Sequence, residues 1–391
     1  MNERILHQDI QAYINNHLKS DIHTLILKGI PFEGITVQEI ANQINCKQKS
    51  EKKLPSWFLT KNIYYPSKVS IEQTSSEIAA EYKSTLISGK NIIDLTGGFG
   101  VDSYYFSKSF HKVIHCEINK NLSKISEYNF KQLGVENIDI IGENGIEYLQ
   151  KTNEVFDVIY IDPSRRNDVK EKVFLLKDCE PNIPKNIDLL LKKTDIILIK
   201  NSPILDITSA INELKFVKEI HVVAINNDVK ELLYLIEKGH KSDVQINTIN
   251  FTKKNNQKFN FTYNKKTVSS YQKPLEYLYE PNSAILKSGG FHEISNHLNI
   301  FKLHQHSHLY TSQKRIKFPG REFKILDVLS CDKKKILKLI PDKKANITTR
   351  NFHKTVAQIR KELKIKDGGK KFLFFTTNIE NKFICIHCEK L

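Results

Sequence analysis

The chain has 391 residues, of which 40% are hydrophobic and 27% charged, an ordinary composition for a soluble protein of two or three domains. No run of about 18 apolar residues occurs, which excludes a membrane-spanning segment at the level of sequence. The opening stretch MNERILHQDIQAY has no secretory signal pattern, and the six scattered cysteines suit reduced thiols. We therefore expect a cytoplasmic protein.

The net charge is strongly positive, at +16 with a sequence pI near 9.3. Such an excess of positive charge attracts polyanions, above all nucleic acid. A lysine-rich composition without any binding role is the alternative.

Residues 4–45 have the pattern of short helices separated by polar linkers. Thr36 and Glu39 fit a capping box at the start of one helix. The charged, proline-containing stretch that follows, CKQKSEKKLPSWF (46–58), predicts a loop or a bend.

From SSEIAAEYKSTLI onward, short apolar runs alternate with helical stretches, which predicts an α/β domain with a mainly parallel sheet. After about residue 275, mixed strand and helix patterns predict a small α+β region. The predicted strands of the α/β domain are 91–95, 110–118, 137–142, 156–162, 195–200 and 219–225.

The first of these strands runs into a glycine-rich turn, IIDLTGGFGVDS. Glycines let the backbone approach a ligand closely, and open α/β sheets bind ligands at the carboxyl ends of their strands. The dinucleotide fingerprint G-x-G-x-x-G is incomplete, since its third glycine position, counted from Gly98, is Ser103. A purely structural turn is the alternative.

Glu117 lies 23 residues after Asp94, at the tip of the second predicted strand. An acidic side chain at this position can accept hydrogen bonds from ribose hydroxyls. The glycine turn and Glu117 together suit any ligand that contains adenosine, including NAD.

The segment from Asp94 to Gly100 resembles the first motif of class I S-adenosylmethionine (SAM) methyltransferases, and Glu117 resembles their ribose-binding acid. GENGIEYL (142–149) resembles the next motif, in which Asn144 or Glu143 would meet the adenine amino group. The resemblance implies a Rossmann-like fold with SAM as cofactor. The cofactor-binding residues that it implies are Asp94, Thr96, Gly97, Gly98, Gly100, Glu117, Asn144 and Asp162.

FDVIYIDPSRRND presents Asp162 at the same sheet edge, because Pro163 restricts the residue before it to extended geometry. Related methyltransferases carry Asp/Asn-Pro-Pro-aromatic here, and the polar side chain orients a target amine. In this chain Ser164 replaces the second proline, and Arg165 and Arg166 follow. These arginines suit a phosphate clamp, with salt bridges that cap the loop as the alternative.

The next strand ends at Lys200, which places a lysine beside Asp162. This pair resembles part of the Lys-Asp-Lys-Glu sites of ribose 2′-O-methyltransferases, in which a lysine orients or deprotonates a hydroxyl. A phosphate-binding or solvent-exposed lysine is the alternative. The predicted catalytic residues are Asp162, Pro163 and Lys200.

The strings YLYEPNSAILKSGGF, SHLYTS, FPGREF and ANITTRNF resemble the tail of a bacterial class I methyltransferase family with a ferredoxin-like unit and a THUMP-like domain. By analogy the tail implies an RNA-docking module. Arg315 and Arg321 are its predicted substrate-binding residues, and Phe318 and Phe352 could stack on unpaired bases. For the lysine-rich KKKILKLI we favour a solvated helix face.

Two patterns near the C-terminus look like metal ligands. His304, His306 and His308 would share one face if extended, and Cys385 and Cys388 have a common zinc spacing. A lone cysteine pair is a weak signal and alternating histidines are more often a strand face, so we expect no metal.

Before the glycine turn, Glu72 and Gln73 are candidates for a lid over the donor pocket, with helix capping by Thr74 or Ser75 as the alternative.

The predicted function is SAM-dependent methylation of structured RNA. A non-catalytic RNA-binding or assembly protein that retains a SAM-binding fold, and an NAD-linked oxidoreductase, remain as alternatives. The predicted domains are a helical region (1–75), the methyltransferase domain (76–275), a ferredoxin-like unit (276–319) and a THUMP-like domain (320–391).

Overall fold

The structure is a computed structural model that describes residues 1–164, 175–265 and 267–391. The chain forms two compact units, one of residues 1–218 and 233–242, the other of residues 219–232 and 243–391.

The first unit begins with a set of short helices. The Thr36–Glu39 capping box is present as predicted. The loop alternative for residues 46–58 is wrong, because the helix that starts at Val37 continues to Lys53 through residues with good helix propensity. The bend alternative holds only at Leu54, where the backbone is not helical. The helix stops before Pro55, which occupies the first turn of the next helix. The helices are Gln8–Asn16 (α1), Ile22–Lys28 (α2), Val37–Lys53 (α3), Pro55–Leu59 (α4) and Lys68–Gln73 (α5).

These helices share an apolar core with the α/β part of the same unit. Trp57 and Tyr65, both almost fully buried, belong to one cluster with Phe99, Val101 and Ile125. The helical region therefore packs directly against the segment that follows the glycine turn.

The α/β part is built on five parallel strands in the order β3-β2-β1-β4-β5. They are Asn91–Asp94 (β1), Lys112–Cys116 (β2), Ile138–Ile141 (β3), Val158–Ile161 (β4) and Ile196–Asn201 (β5). The helices between and around them are Glu77–Ser84 (α6), Val101–Ser107 (α7), Lys120–Gln132 (α8), Gly145–Lys151 (α9), Ile183–Lys193 (α10) and Ile207–Glu213 (α11). The strand order reverses between β1 and β4, and ligands of such sheets bind at this switch point. The predicted α/β, Rossmann-like fold is confirmed.

Val217–Ile225 (β6) and Asp228–Glu237 (β7) contribute residues to both units. Asn226 and Asn227 turn the chain between them, both with positive φ. Within the second unit β6 pairs in parallel with Gln245–Phe251 (β8), and β8 pairs antiparallel with Gln257–Thr262 (β9).

The remaining strands of the second unit form one seven-stranded sheet in the order β11-β12-β10-β13-β16-β15-β14. The strands are Tyr277–Pro281 (β10), Phe301–Lys302 (β11), Tyr310–Ser312 (β12), Gly320–Ser330 (β13), Asn346–Arg350 (β14), Lys371–Thr377 (β15) and Phe383–Lys390 (β16). The helices are Ser283–Ser288 (α12), Glu293–His297 (α13), Lys333–Leu339 (α14) and Val356–Leu363 (α15). Because β10 pairs with β13, the sheet is continuous across the boundary predicted at residue 320. The four-part domain division stays a prediction.

Three features of this unit differ from the alternatives raised by sequence. The histidine segment is a turn rather than a strand, and the His308 ring stacks on Phe291. Cys385 and Cys388 are buried in different apolar clusters. Phe318 is 4% exposed in a third cluster, so the stacking role predicted for it is wrong.

Within residues 1–164, 175–265 and 267–391, no group of three or more His, Cys, Asp or Glu could hold a metal ion. No helix in those ranges is both long enough and apolar enough to cross a membrane.

Candidate active site

The three glycines of the turn after β1 have different roles. A Cβ on Gly97 would lie 2.1 Å from the His115 ring, and one on Gly100 would lie 2.4 Å from the Phe130 ring. A Cβ on Gly98 would meet nothing closer than 3.9 Å, and Gly98 has φ +59°. Gly97 and Gly100 are therefore needed for packing inside the protein, and Gly98 faces the open space that a ligand can fill.

Glu117 follows β2 and lies next to this turn. One carboxylate oxygen accepts the backbone N–H of Gly98 at 2.9 Å, and the other accepts the backbone N–H of Asn119 at 2.7 Å. A carboxylate has about four acceptor positions, so both oxygens can still bind a ribose hydroxyl. The side chain is thereby held at the position where sequence predicts the ribose.

Asp94 lies beneath the turn rather than at its surface. Its carboxylate accepts the backbone N–H of Thr96 at 3.0 Å and the hydroxyl of Ser103 at 2.7 Å, and the residue is 1% exposed. Burial raises the pKa of Asp94 to about 7. Because a pKa of about 7 leaves Asp94 partly protonated at neutral pH, its hydrogen bonds with Thr96 and Ser103 are the means by which it supports the turn.

Behind Asp94, the His115 ring lies 2.9 Å from the Ser103 hydroxyl, and burial lowers the pKa of His115 to about 3. The ring is thus neutral and forms the wall against which Gly97 packs. Sequence reasoning missed His115, although the sequence contains a signal for it, namely a histidine inside an otherwise apolar strand.

Asp162 and Lys200 meet at the same edge of the sheet. The Lys200 ammonium forms an ion pair with the Asp162 carboxylate, and the two side chains are 12% and 30% exposed. Thr96 connects this pair to the glycine turn, because its hydroxyl accepts the backbone N–H of Asp162 at 2.6 Å. The Asp162 carboxylate can take a proton or accept a hydrogen bond from the group that is to be methylated, if that group lies beside a bound methyl donor.

A buried polar network that sequence reasoning also missed lies next to these residues. The Lys83 ammonium, which is fully buried, lies 3.1 Å from the Asp102 carboxylate. That carboxylate also accepts the hydroxyls of Ser75 at 2.9 Å and Tyr160 at 2.8 Å. Burial acts to raise the pKa of Asp102, but Lys83, Lys200 and these hydrogen bonds hold the pKa below its ordinary value.

The structure answers the capping alternative that was raised for Thr74 and Ser75. Ser76, not Thr74 or Ser75, caps α6, and Ser75 is bound to Asp102. Glu72 forms an ion pair with Lys49 of α3. The lid role of Glu72 and Gln73 stays a prediction.

The residues predicted at the adenine are at the start of α9. The side-chain oxygen of Asn144 caps this helix by accepting the N–H groups of Ile146 and Glu147. Glu143 forms a 2.7 Å ion pair with Lys151. Neither contact tests an adenine-binding role.

The predicted substrate arginines fall in different places. Arg165 and Arg166 lie outside the described residues. In the second unit, Arg315 binds Glu322 at 2.9 Å, and Arg321 binds the buried carboxylate of Glu280. Both arginines are thus held by glutamates, and their roles toward a substrate stay predictions.

Comparison with known proteins gives matches to three family models. Residues 76–178 match the ubiE/COQ5 methyltransferase family, residues 277–319 a ferredoxin-like domain, and residues 320–390 a THUMP domain-like model. Together these ranges include more than half of the chain.

A crystal structure of a proposed methyltransferase from Porphyromonas gingivalis W83 is similar over 100% of this chain and 99% of that one, with a TM-score of 0.87 and 29% sequence identity. Among curated proteins, ribosomal RNA small subunit methyltransferase D of Buchnera aphidicola subsp. Acyrthosiphon pisum is 29% identical over 132 residues, which is 32% of this chain and 68% of that protein. An uncharacterised RNA methyltransferase of Mycoplasma mobile is 31% identical over 93 residues, which is 22% of this chain and 25% of that protein.

The family matches agree with the strand order, with the glycine turn and with the acid that follows β2. The similarity to the Porphyromonas gingivalis structure extends over both compact units. The chain thus combines a match to a SAM-dependent methyltransferase family with matches to a ferredoxin-like domain and a THUMP-like domain, and it is similar over its whole length to a solved structure of a proposed methyltransferase.

Proposed function

We propose that the protein transfers the methyl group of SAM to a nucleotide of structured RNA, either ribosomal or transfer RNA. The observation that carries this proposal is the Asp162–Lys200 ion pair, which Thr96 ties to the glycine turn. An acceptor group held by this pair would lie beside a donor held by the turn.

In this proposal Gly98 and Glu117 hold the adenosine part of SAM. Gly98 leaves the space open, and Glu117 accepts the ribose hydroxyls. The sulfonium of SAM is positively charged, and the carboxylates of Asp102 and Asp162 would provide a negative environment for it. Asn144 would meet the adenine, as the sequence predicts.

The transfer itself needs positioning more than covalent catalysis. SAM held by Gly98 and Glu117 would supply an electrophilic methyl carbon to the lone pair of the acceptor nitrogen or oxygen, and its sulfur would keep the electrons of the broken carbon–sulfur bond. The acceptor loses one proton, which the Asp162 carboxylate can take directly or through water. If the methyl acceptor is an amine, Lys200 would orient Asp162. If the acceptor is a ribose hydroxyl, Lys200 would orient that hydroxyl. Both acceptors fit the Asp162–Lys200 pair.

The RNA part of the proposal is supported by charge and by the relatives. Residues 320–391 contain eighteen lysines and arginines against eight aspartates and glutamates. Such a surface binds phosphates without reading sequence. The two curated relatives are named for methylation of RNA. An RNA substrate of this kind would also agree with the predicted cytoplasmic location.

The test is methyl transfer from SAM labelled with tritium in its methyl group. The acceptors are ribosomal and transfer RNA from cells that lack the protein, so that its target is unmodified. We expect label in one RNA fraction with the natural enzyme. Digestion to nucleosides then shows whether a base or a ribose carries the label.

Two variants with matched charge changes sharpen this test. Asp162→Ala should abolish transfer while binding of S-adenosylhomocysteine (SAH) is retained. Asp188→Ala, which removes an exposed carboxylate on α10, should change neither transfer nor SAH binding. Label in protein instead of RNA would contradict the substrate assignment. RNA binding without transfer to any fraction would favour a non-catalytic protein.

A further inference from the structure

Glu280 of β10 is a buried carboxylate that two arginines share. The residue is 3% exposed. Arg321, its register partner on β13, binds one carboxylate oxygen, and the Arg350 Nη2 lies 2.8 Å from the other. Three separate strands thus converge on one carboxylate.

This cluster is poorly explained as a stabilising device. Removing a carboxylate and a guanidinium from water costs about as much as their attraction returns, and apolar replacements of such clusters are often neutral or better. One carboxylate also cannot neutralise two guanidinium groups. The cluster therefore keeps one positive charge that nothing in it balances.

The arginines are placed to offer that charge outward. The side chains of Arg321 and Arg350 are each 36% exposed, whereas that of Glu280 is 4% exposed. Arg321 is fixed further by the rings of Phe323 and Phe374, 5.5 and 5.9 Å from its guanidinium carbon. Glu280 thus holds both guanidinium groups from below while part of each faces solvent.

Three buried polar atoms at the same place make no hydrogen bond with the described chain, and one of them is the Glu280 oxygen in the ion pair with Arg350. The Nε of Arg350 is buried and makes no hydrogen bond with the described chain. The hydroxyl of Thr376, which neighbours Arg350 in the pairing of β14 with β15, is likewise buried and unbonded. Native proteins leave few such groups unsatisfied, and each one asks for an explanation.

We propose that Arg321 and Arg350 form a clamp for a backbone phosphate of RNA, with Glu280 as its positioning residue. This proposal rests on the proposed RNA substrate. Guanidinium groups bind phosphate oxygens with paired, charge-assisted hydrogen bonds, and two of them held in fixed orientation lose little side-chain entropy on binding. The surrounding excess of basic residues would draw the RNA toward the clamp.

Glu280→Gln tests the clamp, because the clamp and general electrostatic attraction predict opposite changes in RNA affinity. The substitution adds one net positive charge, so general electrostatic attraction predicts equal or tighter RNA binding. If Glu280 orients the clamp, binding weakens by roughly tenfold in spite of the added charge. The measurement is fluorescence anisotropy of a short fluorescein-labelled RNA hairpin, titrated with the full chain at several KCl concentrations.

Arg350→Met is the second variant, with Lys338→Met on the exposed face of α14 as its matched control. Both remove one positive charge. Arg350→Met should weaken binding by roughly tenfold and lower the slope of log K against log salt by about one. Lys338→Met should change binding by less than about twofold. Thermal melting of each variant shows that it is folded.

The RNA-binding measurements distinguish failure of the phosphate clamp from failure of the proposed RNA substrate. If the natural protein binds the hairpin and Glu280→Gln and Arg350→Met bind as well as it does, the clamp is wrong and the RNA proposal stands. If the natural protein binds no RNA at all, the RNA proposal fails and the clamp fails with it. Weaker binding by both variants, when thermal melting shows that each is folded at the temperature of the binding assay, supports the clamp.

Discussion

The backbone N–H of Gly98 donates a 2.9 Å hydrogen bond to the carboxylate of Glu117. This bond joins the turn after β1 to the end of β2, so the residue that leaves room for the donor and the residue that would bind its ribose hold each other in place. Sequence spacing predicts that the two lie at one sheet edge, and the bond makes them one structural unit.

Substitution of the glycines should separate binding from folding. Gly98→Ala places a methyl group in open space at φ +59°, which costs about 1–2 kcal/mol of backbone strain but leaves the protein folded. Its methyl group would occupy the donor site, and we expect SAH affinity to fall at least about tenfold.

Gly97→Ala is the contrasting variant, because its methyl group would lie 2.1 Å from the His115 ring. Overpacking of this kind costs about 1–3 kcal/mol or more, so the melting temperature should fall further than for Gly98→Ala. Thermal melting and calorimetry on both proteins check this. Equal loss of stability in the two variants would contradict the different roles of the two glycines.

The buried Lys83–Asp102 pair should behave as a coupled unit in unfolding experiments. Lys83→Met leaves a carboxylate buried without its counter-ion and should lower the free energy of unfolding by about 3–5 kcal/mol. Asp102→Asn removes the charge but keeps an oxygen for Ser75 and Tyr160, so the double variant should recover much of that loss.

Urea unfolding of the two single variants and the double variant gives the coupling energy directly. Costs that simply add in the double variant would mean that the ion pair contributes no interaction of its own.

Asp94 should give the stability a recognisable pH dependence. Its pKa is raised from 3.8 to about 7 in the folded protein, so between these values the folded chain holds a proton that the unfolded chain has lost. The stabilisation from this proton is fully present below about pH 4 and is lost as pH rises toward 7, at about 1.4 kcal/mol for each pKa unit.

Asp94→Asn removes this dependence. We therefore expect the difference in unfolding free energy between the natural protein and Asp94→Asn to change between pH 5 and pH 7 and to level off above it. Urea unfolding across this range is the measurement, and a difference that is constant with pH would show that Asp94 is ionised throughout.

Thr96 should matter for transfer more than for donor binding. Thr96→Val removes the hydroxyl that accepts the Asp162 N–H and leaves that N–H without its partner. We expect the methyl-transfer rate to fall about tenfold or more while SAH affinity changes little, and Thr96→Ser, which keeps the hydroxyl, to restore most of the rate. A Thr96→Ser protein as slow as Thr96→Val would mean that the methyl group, rather than the hydroxyl, is what counts.

Much of the fold was predictable because strand ends carry local signals. Each of the six predicted apolar runs is a strand, and Asp94, Glu117, Asp162 and Lys200 stand at or just beyond strand ends as their sequence positions indicate. The strands β7, β8 and β9 were not predicted, since runs such as DVKELLYLIE mix charged and apolar residues without a clear period.

The parts of the site that sequence did not reveal depend on tertiary contacts. Lys83 and Asp102 are 19 residues apart, and nothing local indicates that they pair in the interior. Gly97 and Gly100 look like ligand-binding glycines, but their neighbours are the rings of His115 and Phe130. Phe318 sits among basic residues in sequence, yet it packs into the core from a tight turn.

If the Gly98–Glu117 unit holds an S-adenosyl donor, binding of that donor must depend on Glu117, and calorimetric titration measures this dependence. SAH, SAM and NADH would each be titrated into the natural protein, into Glu117→Ala and into Glu127→Ala, a control that removes an exposed carboxylate of α8. We expect micromolar binding of SAM and SAH to the natural protein and to Glu127→Ala, at least tenfold weaker binding to Glu117→Ala, and no binding of NADH. Binding of NADH in place of SAH, or SAH binding that is unchanged in Glu117→Ala, would mean that the Gly98–Glu117 unit does not hold an S-adenosyl donor.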